Sequence, residues 1–143
     1  MTLASARTAH GTRSELERLV CQEMDRAGVP HEHRSLHFRV RLPRGDVVEY
    51  EPDIVARRGP ILFLLVHLGR DGESPRQREI LSHFLEQHSP EIVLILVAPA
   101  EAIRELPPET YDEVYAATDV DRAVWRIGEQ DPHGMVRPFV KPR

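Results

Sequence analysis

The chain has 143 residues, of which 29% are charged and 41% hydrophobic, and its net charge is −4. These proportions are ordinary for a globular protein, and the length suits one domain with a real core. No apolar run approaches the ~20 residues that a membrane helix needs, and residues 1–12 lack the apolar segment of a secretory signal. A single cysteine, Cys21, excludes an internal disulfide, so a cytoplasmic location is expected.

The first part of the chain predicts a flexible arm followed by a helix. We expect residues 1–13 to form the arm and residues 14–143 a single domain. Ser14 and Glu17 have the spacing of a capping box, and apolar residues recur at helical spacing as far as Gly28. Cys21 lies beside this apolar stripe and is expected to pack there rather than to react.

The middle of the chain predicts three strands. Residues 35–42 alternate between apolar side chains and a cationic face, which indicates a half-buried strand. A turn leads to a second strand over residues 47–57, in which Pro52 implies an edge position or a bulge. Residues 60–68 are apolar on both faces and indicate a central strand. We expect the three strands to form an antiparallel meander.

The second half of the chain predicts a crossover and a final strand. Ser74 followed by Pro75 is typical of a helix start, and residues 92–98 form a second continuous apolar run. A strand, a helix and a strand in this order indicate a parallel pair. Further expectations are a short helix near residues 101–105, an unassigned piece near residues 111–117, a last strand over residues 120–127 and a tail that docks on the body. The fold class is therefore α/β with a mixed sheet and a C-terminal extension.

The order of these elements, together with particular residues, resembles the PD-(D/E)XK nuclease superfamily, which has the restriction-endonuclease-like fold. The resemblance covers residues 14–98 and rests on Glu17 in the first helix, on Tyr50-Glu51-Pro52-Asp53, and on the buried strand that follows a tight turn. In that family, the aspartate and an acid on the next strand bind Mg²⁺, and a lysine two residues further on positions or activates water. Converging carboxylates suit Mg²⁺, which lowers the pKa of a bound water that can attack a phosphodiester.

Carried over to this chain, the resemblance implies that Asp53 and Glu17 hold the metal. The third strand departs from the pattern, because Leu65 stands at the acid position and His67 at the lysine position. His67 could act as a base or a donor, and Glu79 on the following helix could replace the missing acid. The resemblance implies either a Mg²⁺-dependent phosphodiesterase with an altered site or an inactive descendant that still binds nucleic acid.

Each of these residues also has a structural interpretation. Glu17 could serve only as the capping acid, Asp53 could stabilise a turn, and His67 could be a hydrogen-bonded core histidine. The same scaffold could also serve as a catalytically dead protein-interaction or assembly module, for example as a homodimer.

Two further groups of residues are candidates for binding. A basic group could line the phosphates of a nucleic acid, although a solvated strand face explains it equally well. Its members are Arg34, His37, Arg39, Arg41 and Arg44. His31 and His33 have the appearance of a zinc-binding pair, but without a cysteine partner the number of ligands is short, and we interpret the segment as a loop.

Overall fold

The computed structural model describes residues 14–67, 75–88 and 90–130, without the side chains of residues 65–67. The expected arm (residues 1–13) and docking tail (residues 131–143) lie outside the described residues. The architecture is α/β, as the sequence predicts, with a mixed five-stranded sheet, a separate two-stranded sheet and four α-helices among the described residues.

The elements follow one another in this order along the chain. The helices are α1 (Glu15–Ala27), α2 (Pro75–Gln87), α3 (Ala100–Ile103) and α4 (Val120–Gly128), and short 3-10 turns cover Pro108–Thr110 and Ala117–Asp119. The strands are β1 (Glu32–His33), β2 (Phe38–Arg41), β3 (Val47–Tyr50), β4 (Ile54–Arg58), β5 (Ile61–His67), β6 (Ile92–Ala98) and β7 (Glu113–Ala116).

The large sheet has the strand order β1-β4-β5-β6-β7. Strands β1, β4 and β5 pair antiparallel, whereas β5, β6 and β7 pair parallel. Helix α2 connects β5 to β6, so the predicted crossover and parallel pair are confirmed. The piece near residues 111–117, unassigned from the sequence, supplies the parallel edge strand β7.

The prediction that the three strands form one antiparallel meander is wrong, because they are divided between two sheets. The strand predicted over residues 47–57 is two strands, β3 and β4, which are separated at residues 51–53. Pro52 lies in this break, and a proline has no amide hydrogen with which to continue a ladder. Strand β3 therefore pairs with β2 in the small sheet, while β4 pairs with β5 in the large one.

Helix α1 forms as the sequence predicts. The Ser14 side chain accepts a hydrogen bond of 3.0 Å from the Glu17 amide at its start. Gly28 ends it with a φ of 73°, in the left-handed region that glycine adopts most easily. The capping residues thus set the bounds of the helix that carries Glu17 and Cys21.

The strand predicted over residues 120–127 is wrong, because this segment is the helix α4. Its buried residues are Val120, Ala123, Val124 and Ile127, which recur at helical spacing. The β-branched and aromatic composition of the segment favours a strand. Packing of this apolar stripe against α1 and the sheet overrides that preference.

The hydrophobic core has two layers, one on each face of the large sheet. Phe63 packs on the face covered by α1 and α4, whereas Leu64 packs on the face covered by α2 and by the β2–β3 hairpin. Across residues 14–67, 75–88 and 90–130, no helix combines the length and the apolar character needed to cross a membrane.

Candidate functional site

Glu17 lies on the buried face of α1, with 1% of its surface exposed. Both of its carboxylate oxygens accept hydrogen bonds from Arg34 Nη1, at 3.0 Å to Oε1 and 2.8 Å to Oε2. His33 Nδ1 lies 2.8 Å from Oε2 and donates to it. Glu17 is therefore more than a helix-capping acid, since its side chain ties α1 to β1 and to the residue that follows β1.

Arg34 also contacts Asp53, the second acid that the family resemblance implies as a metal ligand. Its Nη1 lies 3.7 Å from Asp53 Oδ1, and its backbone N–H donates to the Asp53 carbonyl oxygen at 3.0 Å. Arg34 has a φ of 48°, a left-handed conformation that is uncommon for a residue with a side chain. Contacts at both its backbone and its side chain hold this conformation in place.

The helical acid and the acid next to β4 thus both contact the same guanidinium, that of Arg34. Arg34 was expected near the basic strand, as a candidate phosphate contact; the structure places it in this cluster, with only 12% of its side chain exposed. A Mg²⁺ ion would need the oxygens that Arg34 now contacts. We refer to Glu17, His33, Arg34 and Asp53 as the charge cluster.

The remaining candidates from the family pattern lie on β5 and α2. The backbone of Leu65 pairs with Ile54, which follows Asp53, and the backbone of His67 pairs with Val97. The side chains of both residues lie outside what the structure describes. Glu79 lies on α2, which packs on the opposite face of the sheet from α1.

A second cluster adjoins the charge cluster and consists of Cys21, His31 and His33. One potential ligand atom from each residue lies within 4.8 Å of the other two. Cys21 Sγ lies 3.3 Å from His31 Nε2, and His31 Nδ1 lies 3.0 Å from the Val29 carbonyl oxygen. The two imidazole rings meet edge to face, with centroids 5.2 Å apart. We refer to these three residues as the Cys-His-His cluster.

The interpretation of this segment as a loop is wrong, because Glu32 and His33 form strand β1, and Cys21 lies close to both histidines. Sequence reasoning missed the cysteine because it lies ten residues before His31 and beside the apolar stripe of the helix. A usable signal was present, since Cys21 lies four residues after Glu17 and hence on the same face of α1.

The Cys21 thiol is buried, and its pKa is raised to about 11. Burial contributes most, and the nearby carboxylates of Asp25 and Glu17 add to the shift because they disfavour a second negative charge. A thiol with this pKa is a weak nucleophile near neutral pH, because only the thiolate attacks.

The predicted cationic strand face lies on the β2–β3 hairpin. Arg39, Arg41 and Arg44 are exposed there, but Arg39 pairs directly with Glu49 across the hairpin. The His37 side chain, 55% exposed, lies 3.6 Å from Glu49 and 3.3 Å from Glu51. Acidic side chains therefore offset part of this basic face. The hairpin is anchored to α2 through Gln87, whose amide group bonds to both the N–H and the carbonyl of Arg41.

Another surface feature lies on α4, where Trp125 is 67% exposed. It borders a surface cavity of about 580 Å³ lined by both apolar and charged residues. The lining residues are Glu23, Ala27, Tyr115, Asp121, Arg122, Val124, Trp125 and Arg126.

We compared the chain with protein-family models, with curated proteins and with solved structures, and none of them matches it.

Proposed function

We propose that this chain is a restriction-endonuclease-like domain that binds nucleic acid and has lost Mg²⁺-dependent cleavage at Glu17 and Asp53. The order of its elements supports this lineage: a helix, antiparallel strands, a crossover helix and a parallel strand. The observation that carries the loss of cleavage is the position of Arg34, whose guanidinium contacts both acids.

A guanidinium held between two carboxylates offsets their negative charge, as a bound metal ion would. Arg34 is largely buried and touches both oxygens of Glu17. Displacing it would leave a buried cation without its partner, and breaking a buried ion pair costs about 3–5 kcal/mol. Mg²⁺ also gives up its hydration water reluctantly. The two acids are therefore structural in this proposal.

The surface that would bind nucleic acid is the outer face of the β2–β3 hairpin. Glu49 and Glu51 offset the charges of Arg39 and His37, so the cations best placed to contact phosphates are Arg41 and Arg44. Two phosphate contacts correspond to a slope of about −2 when the logarithm of the binding constant is plotted against the logarithm of salt concentration.

The test is the salt dependence of binding to duplex and single-stranded DNA and RNA. Replacing both arginines (Arg41→Ala with Arg44→Ala) should weaken binding and reduce the slope by about 2. Arg104→Ala, which removes an exposed arginine from the end of α3, is the matched control and should leave the slope unchanged. Titration calorimetry with Mg²⁺ should give no binding heat. Tight Mg²⁺ binding that is lost in Asp53→Ala would refute the inactive site.

The alternative function is a homodimeric assembly module, and the exposure of the large apolar side chain of Trp125 beside a surface cavity favours it. The same experiment separates the two functions. If none of the nucleic acids binds at low salt and the mass measured by light scattering rises with protein concentration, the assembly function replaces the nucleic-acid function.

A further inference from the structure

The Cys-His-His cluster brings together three side chains that are common metal ligands. Cys21 comes from α1, whereas His31 and His33 come from the segment that enters and forms β1. Their potential ligand atoms lie within 4.8 Å of one another, and Cys21 Sγ is 3.3 Å from His31 Nε2. Two separate elements thus converge on one point.

Hydrogen bonds fix the tautomer and the orientation of both imidazole rings. The Val29 carbonyl oxygen can only accept, so His31 Nδ1 carries the hydrogen and Nε2 keeps its lone pair. His33 Nδ1 similarly donates to the Glu17 carboxylate. Histidines that bind metals usually donate their other ring N–H to a carboxylate or a backbone carbonyl, which fixes the tautomer and the ring orientation. Both kinds of support are present here.

We propose that Cys21, His31 and His33 bind a zinc ion, with Glu17 and the Val29 carbonyl orienting the two histidines. Thiolate and imidazole ligands select zinc over Mg²⁺, which prefers oxygen. Zn–S and Zn–N bonds of ordinary length separate tetrahedral ligand atoms by about 3.4 to 3.6 Å. The Cys21 Sγ to His31 Nε2 distance of 3.3 Å is already close to this separation.

The surroundings provide negative charge beside the thiol. Asp25 lies one helical turn after Cys21, with Oδ2 4.0 Å from Sγ. His31 also lines a surface cavity of about 270 Å³, together with Pro30, Glu32 and Arg57. A water can take the fourth position of a site with three protein ligands.

A catalytic cysteine-histidine pair is the main competing interpretation. Such a pair needs a thiol that a substrate can reach, whereas Cys21 is fully buried. The carboxylate of Asp25, 4.0 Å from the sulfur, favours a bound cation instead. The zinc site therefore accounts for the burial, for the acids and for the orientation of both rings.

Zinc and cobalt titrations of the full chain, made without a polyhistidine tag, test the proposal. One equivalent of Zn²⁺ should bind and raise the thermal unfolding temperature, because a ligand that binds only the folded state stabilises it. One equivalent of Co²⁺ should give a thiolate-to-cobalt charge-transfer band and the strong visible bands of a tetrahedral site. Zn²⁺ should then displace the cobalt and abolish both signals.

Single substitutions assign the ligands. Cys21→Ala should abolish the charge-transfer band, and either Cys21→Ala or His31→Asn should weaken zinc binding by about 100-fold or more, since even residues that only support a ligand affect affinity 10–100-fold. His31 is partly exposed, so His31→Asn keeps the test valid if Cys21→Ala fails to fold. His83→Asn is the matched control, because His83 is a partly exposed histidine on α2, paired with Glu86 and remote from the cluster.

The proposal is wrong if neither metal binds stoichiometrically to the wild-type chain, or if His31→Asn binds zinc as tightly as the wild type does. It is equally wrong if His83→Asn reduces binding as much as His31→Asn. These readouts need no nucleic acid, so they stand or fall separately from the proposed function.

Discussion

The charge cluster and the β2–β3 hairpin use the same three residue types in different surroundings. In the charge cluster, Glu17 accepts from His33 and Arg34 at 2.8 to 3.0 Å and is fully buried. On the hairpin, the closest approach between His37 and its acidic neighbours is 3.3 Å, to Glu51, and the exposed fractions of the His37, Glu49 and Glu51 side chains are 55%, 72% and 31%.

The difference lies in what each group loses when its partner is removed. Water solvates an exposed charge whether or not it is paired, so surface ion pairs contribute about 0–1 kcal/mol. A buried charge has no such replacement. The same residue types therefore contribute strongly to stability in the charge cluster and only weakly on the hairpin.

The largest expected effect is that of Glu17→Ala. It leaves Arg34 and His33 buried without their shared acceptor, so the free energy of unfolding should fall by about 3–5 kcal/mol. Urea denaturation followed by circular dichroism measures the change. Glu49→Ala on the hairpin is the matched control and should change stability by less than about 0.5 kcal/mol.

Equal losses of stability in Glu17→Ala and Glu49→Ala would contradict the difference between the two regions.

The double change Glu17→Met with Arg34→Met should lower the free energy of unfolding less than Glu17→Ala does. The reason is that replacing a buried ion pair with apolar side chains of similar volume is often neutral or stabilising.

An intermediate effect is expected for Gln87→Ala, which removes the two hydrogen bonds between α2 and the Arg41 backbone. Each such bond contributes about 0.5–1.5 kcal/mol, and these two are exposed, so a total loss of about 1–2 kcal/mol is expected in the same urea experiment. Glu86→Ala, at the neighbouring exposed position, should have little effect. A loss as large as that of Glu17→Ala would mean that the hairpin is as tightly coupled to the core as the charge cluster is.

The smallest expected effect is that of Arg39→Ala, which removes the cross-strand partner of Glu49. Opposite-charge pairs across a hairpin contribute about 0.2–1 kcal/mol, and salt screens them. The difference in stability from wild type should therefore shrink when the urea titration is repeated at high salt. A loss that is large and independent of salt would show that Arg39 acts through packing instead.

Local signals predicted much of the fold. The capping box predicted the start of α1, Gly28 its end, and two apolar runs the parallel pair β5 and β6. Local signals failed where packing outweighs preference, as in α4, whose valines and tryptophan favour a strand. They also failed at Pro52, where the sequence indicates an irregularity but not that the chain leaves one sheet for another.

The candidate site was predictable only in part. The family resemblance implied that Glu17 and Asp53 lie close together, and in the structure both acids contact Arg34. The guanidinium between them was not predictable, because it depends on Arg34 adopting a left-handed backbone conformation. The approach of Cys21 to His31 depends in the same way on the tertiary placement of α1 against β1.

The exposed position of Trp125 affects how this protein can be followed in solution. It is the sole tryptophan in the chain, and its indole already faces water in the folded state. Its emission should therefore shift little on denaturation, which makes fluorescence a poor reporter of folding. For the same reason, a blue shift or protection from a soluble quencher would directly signal that another molecule covers α4.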